Sequence, residues 1–170
     1  MKLLILGAGG HGRVVKETAG LMKDKANNPL FDEISFLDDN SPEAIGRLDE
    51  YESFCGEDRF AFAAFGNNTF RLERMDKLEK AGFSVPTLIH PMAVVSPSAV
   101  IDNGTVVEAG AIINTNCKIG RGAIISVGTI IDHDSTIGEG CHIDCGAVVK
   151  SMCNVQLYRK AQSNEIINKQ

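Results

Sequence analysis

The stretch "VVEAGAIINTNCKIGRGAIISVGTIIDHDSTIGEGCHIDCGAVV", residues 106–149, repeats itself every six residues. Val107, Ile113, Ile119, Ile125, Ile131, Ile137, Ile143 and Val149 share one position of that period, and Val95, Ile101 and Val155 extend the series. Two residues before each stands a small one: Ala93, Ala99, Thr105, Ala111, Cys117, Ala123, Thr129, Ser135, Cys141, Ala147 and Cys153. The residue before that is often Gly, Asn or Asp, as at Gly104, Asn116, Gly128 and Asp134. Such a period fits neither a helix face nor an alternating strand. It fits a hexapeptide β-helix. β-Branched residues favour extended backbone and stack inward as a column. Small residues let the chain approach the axis at the corners, where Gly, Asn and Asp accept left-handed turns. Three hexapeptides close one triangular coil, so residues 18 apart stack, and residues 94–155 supply between three and four coils.

Into this apolar monotony falls Asp132-His133-Asp134. His133 lies two residues past the inward Ile131 and is expected to point outward at a coil edge. A neutral imidazole there can take a proton from an attacking amine or hydroxyl. A carboxylate on its other nitrogen, from Asp132 or Asp134, would fix the tautomer and stabilise the imidazolium. Asp134 also stands at a turn position, where accepting backbone hydrogen bonds is a sufficient role.

The rest of the composition narrows the field. The chain has 170 residues, enough for one domain or two small ones, with 44% hydrophobic and 23% charged residues. A net charge of −5 without a basic run argues against nucleic acid or an anionic membrane as partner. No apolar run reaches the roughly 20 residues of a membrane span, and "MKLLILG" reads as a strand rather than a signal peptide. Five cysteines form no CxxC pair and fit reduced thiols in a cytoplasm. Cys117, Cys141 and Cys153 occupy the small-residue position and read as packing; Cys145 does not. No metal-ligand pattern is expected.

The amino-terminal half is of another kind. "KLLILG" is a strand, Gly7-Ala8-Gly9-Gly10-His11-Gly12 matches G-x-G-x-x-G, and "RVVKETAGLM" reads as a helix. Such glycines permit a tight turn and bring amide N–H groups against a phosphate. A second strand, "EISFLDD", ends in Asp38 and Asp39, where an acid commonly takes a ribose hydroxyl. A third, "RFAFAAFGNN", ends at Gly66-Asn67 before the helix "TFRLERMDKLEKAG". About 85 residues hold roughly one half of a dinucleotide fold. A mononucleotide or nucleotide-sugar fits that space better than a dinucleotide, and a glycine turn serving packing alone stays open. The expected fold is an α/β Rossmann-like parallel sheet over residues 1–86, a short β-helix over 87–156 and a tail over 157–170.

The tandem of "GAGGHG" at 7–12, "FLDD" at 36–39, "FGNN" at 65–68, "LIHP" at 88–91, the hexapeptides and "DHDSTIGEGCHI" at 132–143 resembles the sialic acid O-acetyltransferase type of sugar acyltransferase, similar to enzymes that N-acetylate UDP-linked 4-amino sugars. The resemblance spans residues 1–155 and implies a homotrimer of left-handed β-helices with acetyl-CoA between subunits. It implies His133 as the general base with Asp134 beside it, and His142 with Ser151 along the CoA channel. It implies nucleotide-sugar contacts from Gly7, Gly9, Gly10, His11, Gly12, Asp38 or Asp39, and Gly66-Asn67. The family more often has Glu at position 134 and continues for further coils ending in a G-x-P-A-K/R type signature. Here the column is read as ending at Val155, with a polar tail after it. Two other functions therefore stand beside acetyl transfer to a nucleotide-linked or free sugar. One is a non-catalytic nucleotide-sugar-binding protein without a full CoA site; the other is an acyltransferase for amino acids on an inert first domain.

Overall fold

The computed structural model describes residues 1–56 and 59–169. It divides into two units, Met1–Pro86 and Thr87–Gln170.

In the first unit, β1 (Lys2–Leu6), β2 (Glu33–Leu37), β3 (Ala44–Gly46) and β4 (Arg59–Ala63) form a parallel sheet in the order β3-β2-β1-β4. Leu3, Leu4, Ile5 and Leu6 of the central β1 are all buried, as a strand covered on both faces requires. Helix α1 (Gly10–Leu21) follows β1 and α2 (Asn68–Lys80) follows β4. The expected half of a nucleotide-binding fold is present, and the loops after β1, β2 and β4 meet at the carboxyl edge, where open parallel sheets take ligands. Beyond expectation are the edge strand β3 and a 3-10 helix at Leu48–Phe54. Three residues with a register shift against Phe36/Leu37 leave no periodicity to read.

The second unit is a left-handed β-helix of two-residue strands, each parallel to one 18 residues away, as in Lys118↔Thr136 and Ile124↔His142. Three sheets form three faces. The first holds Val100–Ile101, Lys118–Ile119, Thr136–Ile137 and Asn154–Val155. The second holds Leu88–Ile89, Val106–Val107, Ile124–Ile125 and His142–Ile143. The third holds Val94–Val95, Ile112–Ile113, Ile130–Ile131, Val148–Val149 and Ile166–Ile167. The second residue of each pair turns inward, so Ile113 through Ile143 in the column are no more than 1% exposed. The small position has its own logic. Thr105 Oγ1, Cys117 Sγ, Ser135 Oγ and Cys141 Sγ each donate to a carbonyl 15 residues on, at 2.9–3.1 Å. Hydroxyls and thiols there tie one coil to the next, while alanines only fill the corner.

The expectation of a tail after Val155 is corrected. Ala161 and Ile167 continue the buried column, and Ile166–Ile167 pairs with Val148–Val149. The chain winds on because the coil below offers free strand edges: Ala161 N–H donates to His142 O and Lys150 N–H to Ile167 O. Gln170 lies outside the described residues.

Candidate functional site

His133 occupies the corner that leads from the third face to the first. The turn places its side chain outside, 46% exposed. Its Nδ1 meets Asp134 Oδ2 at 2.7 Å, while its N–H donates to Asp132 Oδ1 at 2.8 Å. Asp134 adopts φ 58°, and its Oδ1 accepts from Asn116 Nδ2 at 3.1 Å. The Asp134 hydrogen bond holds the imidazole pKa above its ordinary value, with the charge of Asp132 adding to it. Conversely the bonds from His133, then from Asn116, pull the Asp134 pKa below the usual carboxylate range. An imidazole tethered through Nδ1 leaves Nε2 as the nitrogen open to a substrate proton. Ser151 lies 18 residues on, in the turn whose Met152 N–H donates to His133 O at 3.0 Å, so it flanks His133 on the same corner.

His142 lies elsewhere. It is the outward residue of a strand on the second face, across the prism from the His133 corner. Its Nε2 is 3.2 Å from Ser126 Oγ and 4.0 Å from Asp144 Oδ1. Glu108, Ser126 and Asp144 stack at one register of the next corner, and burial pushes the Glu108 carboxyl up. Sequence reading missed this cluster, although the spacing of 18 aligns its three members. The Cys145 thiol is pushed up by burial and then by Asp144, the opposite of an activated nucleophile. On the first face, Lys118, Gly120, Arg121, Thr136, Gly138 and Glu139 border a groove of about 540 Å³. A side chain has no room at its two glycines: a Cβ at Gly120 would meet Glu139 N at 2.7 Å and one at Gly138 would meet Leu157 N at 2.5 Å.

The first unit carries its own candidate site at the carboxyl edge of its sheet. Gly7 turns at φ 98°, and Gly12 is pressed against it, a Cβ there falling 2.0 Å from Gly7 O. Gly9 and Gly10 face open space, and no side chain caps the start of α1, so its first amides are available to an anion. Arg13, which sequence reading overlooked, lines a cleft of about 370 Å³ with Ala8, Gly9, Asp38 and residues 40–43. A basic residue one turn into a helix that follows a glycine loop was the available signal. His11 sits half-buried in that first turn.

The acids do more structural work than their position suggests. Asp38 accepts from Ala8 N at 2.9 Å, Asn40 N at 2.9 Å and Ser41 N at 3.0 Å, bonds that depress its pKa. It clamps the glycine loop to the turn after β2. Asp39 receives Leu48 N at 3.2 Å. Asn67 caps α2 by accepting from Phe70 N at 2.9 Å, while Gly66 before it is open. Among the described residues no cluster of His, Cys, Asp or Glu suits a metal ion, and no helix is long and apolar enough to cross a membrane.

Residues 2–78 match the PglD N-terminal domain. UDP-N-acetylbacillosamine N-acetyltransferase of Bacillus subtilis (strain 168) is 33% identical over 112 residues, 62% of this chain and 50% of that protein. The match thus spans about half the length of that relative. Among solved structures, the acetyltransferase domain of PglB from Neisseria gonorrhoeae FA1090 is 30% identical with a TM-score of 0.82, covering 99% of this chain and 91% of that one. The same domain has been solved in complex with acetyl coenzyme A. A histidine-to-asparagine mutant of perosamine N-acetyltransferase from Caulobacter crescentus, in complex with CoA and GDP-perosamine, is 25% identical with a TM-score of 0.83, covering 99% and 89%. With a glycine-loop sheet in front of a hexapeptide β-helix over its whole length, the chain belongs to the hexapeptide-repeat sugar N-acetyltransferases.

Proposed function

We propose that the protein transfers an acetyl group from acetyl-CoA to the amine of a nucleotide-linked amino sugar, with His133 as general base. The observation that carries this reading is the exposed imidazole whose Nδ1 is held 2.7 Å from Asp134. As the amine attacks the acetyl carbonyl, its proton passes to Nε2, and Asp134 stabilises the resulting imidazolium. No enzyme nucleophile is needed; the thioester supplies the leaving group. The first-face groove suits the co-substrate, with Lys118 and Arg121, the latter 3.1 Å from Glu139, as cations for its phosphates. Arg13, Gly9, Gly10 and the start of α1 would take the diphosphate of the acceptor.

The working unit is a homotrimer. Val94, Ile112, Ile130 and Ile166 leave branched aliphatics 38–62% exposed along the third face, which runs straight to the His133 corner. His133 and His142 lie across the prism from each other, so a CoA channel that uses both draws them from two subunits. Reduced thiols at Cys55, Cys117, Cys141, Cys145 and Cys153 suit the cytoplasm. The test is direct: incubate the purified protein with acetyl-CoA and a panel of UDP- and GDP-linked amino sugars. CoA thiol release with an acetylated amine supports the reading. Nucleotide-sugar binding without CoA binding or turnover would overturn it in favour of a binding protein.

A further inference from the structure

From Gly104 to Asn164, each corner of the β-helix turns through a residue at positive φ. After the first face these are Gly104, Gly122, Gly140 and, in the last coil, Tyr158; after the second they are Gly110, Gly128, Gly146 and, in the last coil, Asn164. The His133 corner uses glycine in none of its turns. It uses Asn116 at φ 58°, Asp134 at φ 58° and Met152 at φ 57°. Glycine adopts this conformation at least cost, so the turn itself does not ask for side chains here.

Hydrogen bonding supplies the reason. Asn116 Nδ2 donates to Asp134 Oδ1 at 3.1 Å, one coil away. Asp134 Oδ2 is left for His133 Nδ1 at 2.7 Å. Asn116 is itself fixed, its N–H donating to Ser98 Oγ at 3.0 Å one coil further back. Ser98, Asn116 and Asp134 thus form a ladder at intervals of 18 residues along the coil axis, ending on the imidazole. The neighbouring acid does not compete for the ring. Asp132 Oδ1 accepts from Asn114 Nδ2 at 3.2 Å and from the His133 N–H.

We infer that Asn116 is a positioning residue for acetyl transfer: it holds the Asp134 carboxylate in the orientation that presents Oδ2 to His133 Nδ1, and so keeps Nε2 aimed at the acceptor. This rests on His133 being the base. The charged groups around the ring are Asp132 and Asp134 on its own turn and Lys150 on the turn of the next coil; the preceding coil contributes the neutral Asn114, Thr115 and Asn116.

Asn116→Gly tests it, because glycine is what the other two corners use in this conformation from residue 104 to residue 146. Tm and oligomeric mass are expected to match or exceed wild type, while kcat/KM falls by about tenfold, a part of the about 10²–10⁴ that a general base contributes. The His133 ring titration, followed by NMR, is expected to move down toward the free imidazole value. In an Asp134→Gly background the same substitution should change neither rate nor titration. Wild-type kcat/KM with an unmoved titration would overturn the inference. So would an equal loss in both backgrounds, or a variant that fails to fold, either of which makes the role independent of Asp134. If His133→Ala retained full activity, the base assignment would fall by itself. The ring titration would still decide whether Asn116 governs the Asp134–His133 pair.

Discussion

Asp134→Asn keeps the size of the side chain and a residue type at home at φ 58°. It removes the charge 2.7 Å from His133 Nδ1 and leaves one acceptor oxygen where His133 Nδ1 and Asn116 Nδ2 now each have one. In buried triads the same exchange costs about 10⁴-fold, because the imidazole is held in the wrong tautomer. Here the imidazole and the carboxylate are 46% and 48% exposed, so water screens the pair and lets the ring reorient. A fall in kcat/KM of about 10- to 100-fold is expected, toward the lower end of a general base's worth. The pH dependence carries a sign. The neutral imidazole is the active form, and Asp134 holds its pKa above the ordinary 6.5. Wild type therefore loses activity on the acid side already above that value. In Asp134→Asn the limb moves to lower pH while the plateau drops. The assay is CoA thiol release at subsaturating acceptor across the pH range, with the ring titration read separately by NMR. A limb owed to the substrate amine stays in place; one owed to His133 moves with the ring. An unchanged plateau together with an unmoved ring pKa would refute the reasoning.

Other expectations reach the rest of the molecule. Ile131→Ala, at a fully buried column position, is expected to cost about 2–5 kcal/mol in urea unfolding; an unchanged midpoint would deny that the column is the core. Gly12→Ala should fail to give a stable fold, since its Cβ would lie 2.0 Å from Gly7 O. Gly9→Ala, in open space, should keep its Tm but lose the stabilisation that added nucleoside diphosphate gives; equal stabilisation in both would place the nucleotide elsewhere. Ile130→Glu, on the exposed aliphatic stripe, should lower the mass seen by light scattering from trimer to monomer, and an intact trimer would move the interface to another face.

Much of this was legible before any coordinates. A column of branched aliphatics every six residues has one physical solution, and the G-x-G-x-x-G spacing announced the tight turn after the first strand, where Gly7 adopts φ 98°. The last coil was hidden because its residues break both rules of the repeat. Ala161 stands where Ile or Val is usual, and Arg159 and Glu165 stand at the small position. With no described coil stacked beyond them, long side chains can turn away from the axis, and these two pair at 2.5 Å. Asp38 and Asn67 show the converse limit. Residue type and spacing announce an acid or an amide at the sheet edge, but not that backbone N–H groups already occupy it. The His133–Asp134 pair was visible as adjacent letters; Asn116 was not, because its partner lies 18 residues away through a turn.

The proposed reaction depends on the proton acceptor at the His133 corner. Its most direct test is the rate of acetyl transfer by His133→Asn, with Tm, oligomeric mass and nucleotide binding measured on the same preparation. A loss of at least about 100-fold in kcat is expected with the other three unchanged, the side chain being 46% exposed. A variant that turns over within about twofold of wild type would show that His133 makes no contact peculiar to the transition state, and the assignment would be wrong.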